Sequence, residues 1–289
     1  MSALKVCVLL SLLGVCLAAA QLETQKRALG EFHTVQSCVP FNVVITPGDK
    51  YQVEVKAEKP VVDAITSDVK SGVLQIGIRA VKTKENIEVT VTLPKSKLRF
   101  IQLSNTVATT FVEPGFDVPE LNLSIGGGGS SLYVDGIAVN NLTLNSSGTS
   151  SLAVRGSIDS ANVISSNVAN TALSKVKGRV QVHVSGISKV FVEADPAFAK
   201  DVKISGSAQE LGAVQYAGGQ CALSATSIFP VCERAAVPSF AFRPVLWTHG
   251  IDIEGTFSCN GHSAGSAISS NVQCFGMACS QGVGAASRA

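Results

Sequence analysis

The chain has 289 residues, with 23 basic against 21 acidic side chains, 46% hydrophobic residues and 15% charged ones. Near-neutrality excludes a general nucleic-acid binder, which needs a clustered basic excess. The apolar fraction is ample for a core, which excludes disorder, and at this length one elongated domain with an appendage fits better than two independent globules.

Residues 1–20 read as a secretory signal: Lys5 gives a positive start, Val6 to Leu17 a short apolar run, and Ala18-Ala19-Ala20 a small-residue cleavage site. The run is too short to span a bilayer. No later stretch reaches eighteen apolar residues, so no transmembrane segment is expected, and the end from Gly282 to Ala289 lacks the tail of a lipid-anchor signal. The expected product is secreted or held at an extracellular surface. Removing the signal takes Lys5, leaving 22 basic against 21 acidic residues.

Residues 21–30 are polar and form a loose entry. Strand patterning starts at Phe41-Asn-Val43-Val-Ile45 and resumes at Tyr51-Gln-Val53-Glu-Val55, with Pro47-Gly48-Asp49 between, which predicts an antiparallel hairpin. Pro60 to Val69 carries a helical turn or two. A second strand pair is expected at Val73–Ile78 and Ile87–Leu93, joined by a basic loop at residues 79–86, and Pro94 closes it.

From Ile101 the pattern becomes periodic. Apolar phrases start at Ile101, Leu121, Leu142, Val163, Val182 and Val202, spaced by 20, 21, 21, 19 and 20 residues. That is too short for a helical repeat, and stacked strands are the natural reading. Each copy has a second alternating half ending in a charged residue, as in Leu132-Tyr-Val134-Asp135-Gly136 and Leu152-Ala-Val154-Arg155-Gly156. The fold class expected is all-β: a single-stranded β-solenoid with coils of about 20 residues, antiparallel N-terminal strands and a cysteine-rich C-terminal cap. In-register stacking would place Glu113, Asp135, Arg155, Lys177 and Glu193 in one outward row, with Asp135 attracting Arg155 and Lys177 attracting Glu193. Solvated turn residues explain such a row. Glycoside cleavage would need a compact group of carboxylates, which the row does not supply.

The order of phrases in residues 30–215 resembles the auto-transporter adhesin head GIN domain family. The matching segments are Phe41–Ile45, Gly48–Val55, Val69–Ile76, Ile87–Pro94 and Leu98–Ser104, followed by coils with Ser-Gly turns such as Val202-Lys-Ile-Ser-Gly206. The resemblance implies a β-solenoid with a surface or adhesion role and carries over no catalytic residue. It ends near residue 215.

Residues 217–289 change composition, with the only Trp (Trp247), His249, His262 and five cysteines. Cys7 and Cys16 leave with the signal; Cys38, Cys221, Cys232, Cys259, Cys274 and Cys279 remain as disulfide candidates with fifteen possible connectivities. Their spacing lacks the close pairs of a zinc site. Two arrangements stay open for this segment. It covers the exposed apolar face and strand edges of the last coil, with disulfides substituting for a core, or it forms a small module on a Gly218-Gly219 linker. Either a bridge reaches back to Cys38, or Cys38 and one other cysteine stay free.

Other chemistry is not supported. Gly126 to Gly129 has no following Lys-Ser/Thr and suits a coil corner, and the same stretch lacks the aspartate of a calcium nonapeptide. Serine is abundant without a Gly-x-Ser-x-Gly elbow. His33, His183, His249 and His262 are scattered, and His183 points out of its coil between Val182 and Val184. No metal or cofactor is expected. Asn122, Asn141 and Asn145 head sequons, and Asn122, alternating with Leu121 and Leu123, faces solvent as a glycan acceptor. Three functions are carried forward: an adhesion or structural protein that binds matrix, wall polysaccharide or protein without catalysis; a carbohydrate-active enzyme on a solenoid; and an element that assembles edge to edge.

Overall fold

Alternation of apolar and polar residues at period two forces strands, and a strand with one apolar face is stable only when another layer covers that face. In a computed structural model, which describes residues 21–104, 107–226, 230–237, 247–259 and 266–269, coils stacked on one another supply that cover. The chain opens with β1 (Leu22–Ala28), β2 (Thr34–Ser37), β3 (Val43–Pro47) and β4 (Gln52–Glu58). Helix α1 (Lys59–Ala64) follows, with Pro60 in its first turn and Val61, Val62 and Ala64 buried. Next come β5 (Ile65–Lys70), β6 (Val73–Ile78) and β7 (Val81–Leu93).

The coils themselves are β8 (Phe100–Ser104), β9 (Thr109–Val112), β10 (Asp117–Gly126), β11 (Gly128–Ser146), β12 (Thr149–Ser165) and β13 (Asn170–Val176). They continue with β14 (Arg179–Val184), β15 (Lys189–Ala194), a 3-10 turn at Pro196–Phe198, β16 (Lys203–Ala208) and β17 (Ala213–Ala217). The last strands are β18 (Gln220–Ala225), β19 (Cys232–Arg234), β20 (Trp247–Glu254) and β21 (Ser266–Ser269).

Two parallel ladders run along the stack. We call side A the ladder β6, β2, β8, β10, the end of β11, the end of β12, β14, β16 and β18. Side B is the ladder β7, β3, β9, the start of β11, the start of β12, β13, β15, β17 and β19. The register along side A runs Ile101, Leu123, Leu144, Val163, Val182, and then from Val180 to Ile204 and Cys221. Those coils advance by 22, 21, 19, 19, 24 and 17 residues. The inward residues form one continuous interior, with Leu121, Leu132, Leu144, Val163, Val182 and Val192 each 1% exposed or less.

The expected solenoid and its antiparallel N-terminal strands are present, with three differences in detail. First, β3 and β4 do not pair as a hairpin: β7 lies between them, parallel to β3 and antiparallel to β4. The Pro47-Gly48 turn docks on β7 instead, with the Gly48 N–H donating to the Leu93 carbonyl at 3.0 Å. Second, β6 pairs with β5 and β2 rather than with β7, so the second expected pair is also absent. Third, Val182 stands opposite Gly206 rather than Val202, because the 3-10 turn at Pro196–Phe198 lengthens that coil to 24 residues.

The described part of the C-terminal segment does two things. β18 and β19 extend the ladders by another coil. β20 then pairs antiparallel with β7, at the opposite end of the stack, and with β21. A single bridge, Ile78 to Phe257, and the Cys38–Cys259 disulfide tie the same region to β6 and the loop after β2. A second disulfide, Cys221–Cys232, joins β18 to β19. The Cα separations are 5.4 and 6.0 Å, inside the range a disulfide spans. Residues 1–20, His262, Cys274 and Cys279 lie outside the described residues.

Candidate functional surface

The five charged positions expected in one row divide. Register puts Val112 opposite Val134, Val134 opposite Val154, Val154 opposite Leu173, and Leu173 opposite Val192. The residue after each of these is Glu113, Asp135, Arg155, Ser174 and Glu193. Ser174 therefore takes the place assigned to Lys177, and its hydroxyl donates to the Glu193 carboxylate. Lys177 lies beyond a register shift, with Lys175 at φ 62°, and pairs with Asp159 at 3.4 Å. The Lys177–Glu193 attraction is thus replaced by Lys177–Asp159. Asp135 and Arg155 form a bidentate pair, Nε to Oδ1 at 2.6 Å and Nη2 to Oδ2 at 2.7 Å. That hydrogen bonding raises the Arg155 pKa further, against partial desolvation.

Beside this row, side B carries an outward line that the sequence reading did not single out: Phe111, Tyr133, Ala153, Ala172 and Phe191 in register. Outward residues are normally exposed, yet Phe191 and Ala153 are buried, and burial pushes the Tyr133 hydroxyl above the usual tyrosine range. Side B therefore has a second, external apolar cluster. It carries no converging set of carboxylates.

Side A is different in kind. Its outward positions are mainly amides and hydroxyls with a few charges, interrupted by Phe100, Ile164 and Ala222, and several of the polar groups bond along the ladder. Gln75 donates to Gln36 and Gln36 to Gln102, both at 2.9 Å. Ser160 donates to the Asn141 side chain at 2.7 Å and Ser205 to Gln181 at 2.9 Å; His183 Nδ1 lies 2.9 Å from the Ser207 hydroxyl. Asn122, Asn141 and Asn145 are exposed on this side, with Asn122 opposite Thr143 and Ser124 opposite Asn145. His183 is exposed as its strand position requires, and His249 reaches Asn86 at 2.8 Å on the β20–β7 pair.

At the corner between sides A and B, a left-handed residue recurs in four successive coils: Gly148, Asn167, Gly186 and Glu210 at φ 71°, 66°, 72° and 58°. The residues that follow in the last three, Val168, Ile187 and Leu211, are 46%, 58% and 53% exposed. Each donates its backbone N–H to the coil above, to Gly148, Asn167 and Gly186 respectively, so the three stack as a short aliphatic ridge. Among the described residues no group of three or more His, Cys, Asp or Glu side chains is placed to hold a metal ion, and no helix is long and apolar enough to cross a membrane. Among the described residues Cys38, Cys221, Cys232 and Cys259 are all engaged in disulfides.

The fold recurs in solved bacterial structures. An adhesin-like protein from Bacteroides fragilis, named a putative adhesin, matches at 18% identity and a TM-score of 0.57, over 75% of this chain and 97% of its own. A protein from Parabacteroides distasonis, named a putative lipid-binding protein, matches at 12% identity and a TM-score of 0.52, over 74% and 97%. At these identities the likeness shows the fold alone. No curated protein matches the chain. The family model described as "Putative auto-transporter adhesin, head GIN domain" matches residues 31–219, which is most of the chain and nearly all of the stack. With its coils, its antiparallel N-terminal strands and that match, the protein belongs to the auto-transporter adhesin head GIN domain family.

Proposed function

We propose that this protein is a secreted, non-catalytic adhesion module that binds an extracellular ligand, whether matrix, wall polysaccharide or protein, through the outer face of side A. In this reading residues 1–20 are a cleaved signal, residues 21–216 the binding body, and residues 217–289 a disulfide-stapled segment. The observation that carries it is the contrast between the two sides: side A offers a broad exposed sheet of amide and hydroxyl groups, whereas side B carries a buried apolar cluster and an internally paired charge row. Disulfides fit an oxidising compartment. N-glycans on Asn122, Asn141 and Asn145 would sit on the coils of β10 and β11, leaving the rest of side A for contact.

The test is to present residues 21–289 to arrays of glycans, polysaccharides and matrix proteins, and to assay the same polymers for cleavage. Saturable binding without turnover is expected. Turnover of a polysaccharide that is abolished by Asp135→Asn would instead establish the enzyme reading. A second reading, end-to-end assembly, draws on one observation: among the described residues β18 and β19 each have a ladder partner on one side only. Sedimentation of the purified protein decides it, since a monomer at high concentration removes assembly.

A further inference from the structure

Side A changes character along the stack. Around β10 and β11 it carries the sequons and Glu120. Lower down, the paired strands β14 and β16 place Arg179 opposite Lys203, Gln181 opposite Ser205 and His183 opposite Ser207. Arg179, His183 and Lys203 are exposed and point outward, since Val180, Val182 and Ile204 between them are buried. Facing partners on neighbouring strands are about 4.8 Å apart. Two cations therefore confront each other directly, an arrangement that like charge disfavours.

Neither Arg179 nor Lys203 takes part in any ion pair among the described residues. Asp159 is engaged by Lys177, and the Asp195 carboxylate accepts the Ala197 N–H. Asp201 is two residues from Lys203, but exposed Lys175 and Lys200 at the same edge outweigh it. The flanking outward positions are uncharged: Asn162 and Ile164 on one side, Ala222 and Ser224 on the other. The result is a flat, net-positive array in which a cation pair adjoins amide and hydroxyl groups already aligned along the strands.

We propose that this array binds an anionic polysaccharide, a polymer whose sugars bear sulfate or carboxylate groups. The cation pair would meet the charged substituent, and Gln181, Ser205 and Ser207 would exchange hydrogen bonds with ring hydroxyls. Exposed among the described residues, the array suits an extended chain lying across several strands rather than a small molecule. Two facing cations are too few for the phosphate tracking that a nucleic acid demands. The proposal rests on the adhesion reading and names the ligand class for it.

The probe is heparin, a sulfated, uronate-bearing polymer, with dextran sulfate and uncharged dextran alongside, measured on the full mature chain at low and high salt. Wild type is expected to bind heparin and dextran sulfate and to release them as salt rises. Affinity at low salt should fall about fivefold for each cation removed, and about 25-fold in the R179Q/K203Q double variant. A control double variant, K50Q/K70Q, loses the same charge from exposed positions near the other end and should bind as wild type, with unchanged far-UV circular dichroism in both. Equal loss in the two double variants, or no loss in R179Q/K203Q, overturns the assignment. So does binding of anionic phosphatidylserine vesicles in place of the polymers. Binding only to uncharged glycans or proteins overturns it while leaving the adhesion reading standing; binding to no surface ligand at all removes both.

Discussion

Replacing Leu144 by alanine probes the stacked interior at its centre. Leu144 is fully buried, with Leu123 of the preceding coil and Val163 of the following coil directly in register. Removing three carbons from such a site costs about 2.4 kcal/mol of transfer free energy at about 0.8 kcal/mol each. The cavity left behind adds to this, because ladder hydrogen bonds fix the neighbouring strands about 4.8 Å away and prevent collapse. A total of about 3–4 kcal/mol follows, a large part of the 5–15 kcal/mol that domains of this kind possess. The comparison is Asn162→Ala, an exposed outward position beside Val163, expected to change stability by less than about 0.5 kcal/mol. Urea unfolding followed by far-UV circular dichroism, under oxidising conditions, measures both. If Leu144→Ala costs less than about 1 kcal/mol, or Asn162→Ala costs as much, the inward and outward assignment is wrong.

Three further outcomes follow from the geometry. Gly186→Ala should destabilise by at least about 2 kcal/mol, since its left-handed φ disfavours a side chain and a Cβ there would meet the Asn167 carbonyl oxygen at 2.5 Å; Gly128→Ala, with nothing within 4 Å, should cost far less, and equal melting temperatures would refute the corner geometry. Ser150 and Ser188 are buried hydroxyls with no hydrogen-bond partner among the described residues, so Ser150→Ala should be neutral or stabilising by up to about 1 kcal/mol, whereas Ser146→Ala, which breaks bonds to Ser165 and Thr171, should destabilise; the reverse order in thermal melts would contradict this. Removing the Cys38–Cys259 bridge with a C38S/C259S variant should cost about 2–5 kcal/mol and raise amide exchange in β20 while β14 stays protected; unchanged exchange in β20 would show that strand pairing alone holds it.

The period was legible in the sequence, and the register was not. A slip of two residues leaves every inward side chain inward, so Leu121 and Leu123 serve equally well as partners for Ile101 on pattern alone; backbone pairing selects Leu123. A different cause carried Lys177 into a charge row where Ser174 belongs: a bulge with a left-handed Lys175 breaks the alternation between Leu173 and Val176. Asp135 and Arg155 were recoverable because the 20-residue step of Val134 opposite Val154, which the repeat spacing also gives, carries them together before the register shifts ahead of Ile137. The hairpin signal at Pro47-Gly48-Asp49 marked a real turn but could not reveal that β7, forty residues further on, inserts between its two strands. Likewise Cys38 and Cys259 are 221 residues apart, and nothing local selects that pairing among fifteen connectivities. The array on β14 and β16 depended on register as well. With the regular 20-residue step, His183 rather than Arg179 would face Lys203.

That step is also where the account is most exposed to direct measurement. Cysteines introduced in pairs report which residues of β14 and β16 face each other, because facing positions lie within disulfide reach and positions offset by four residues do not. Mass-spectrometric mapping after mild oxidation is predicted to find Gln181→Cys joined to Ser205→Cys, and no bridge between His183→Cys and Lys203→Cys. A bridge in the second pair and none in the first would contradict the stacking described for these coils.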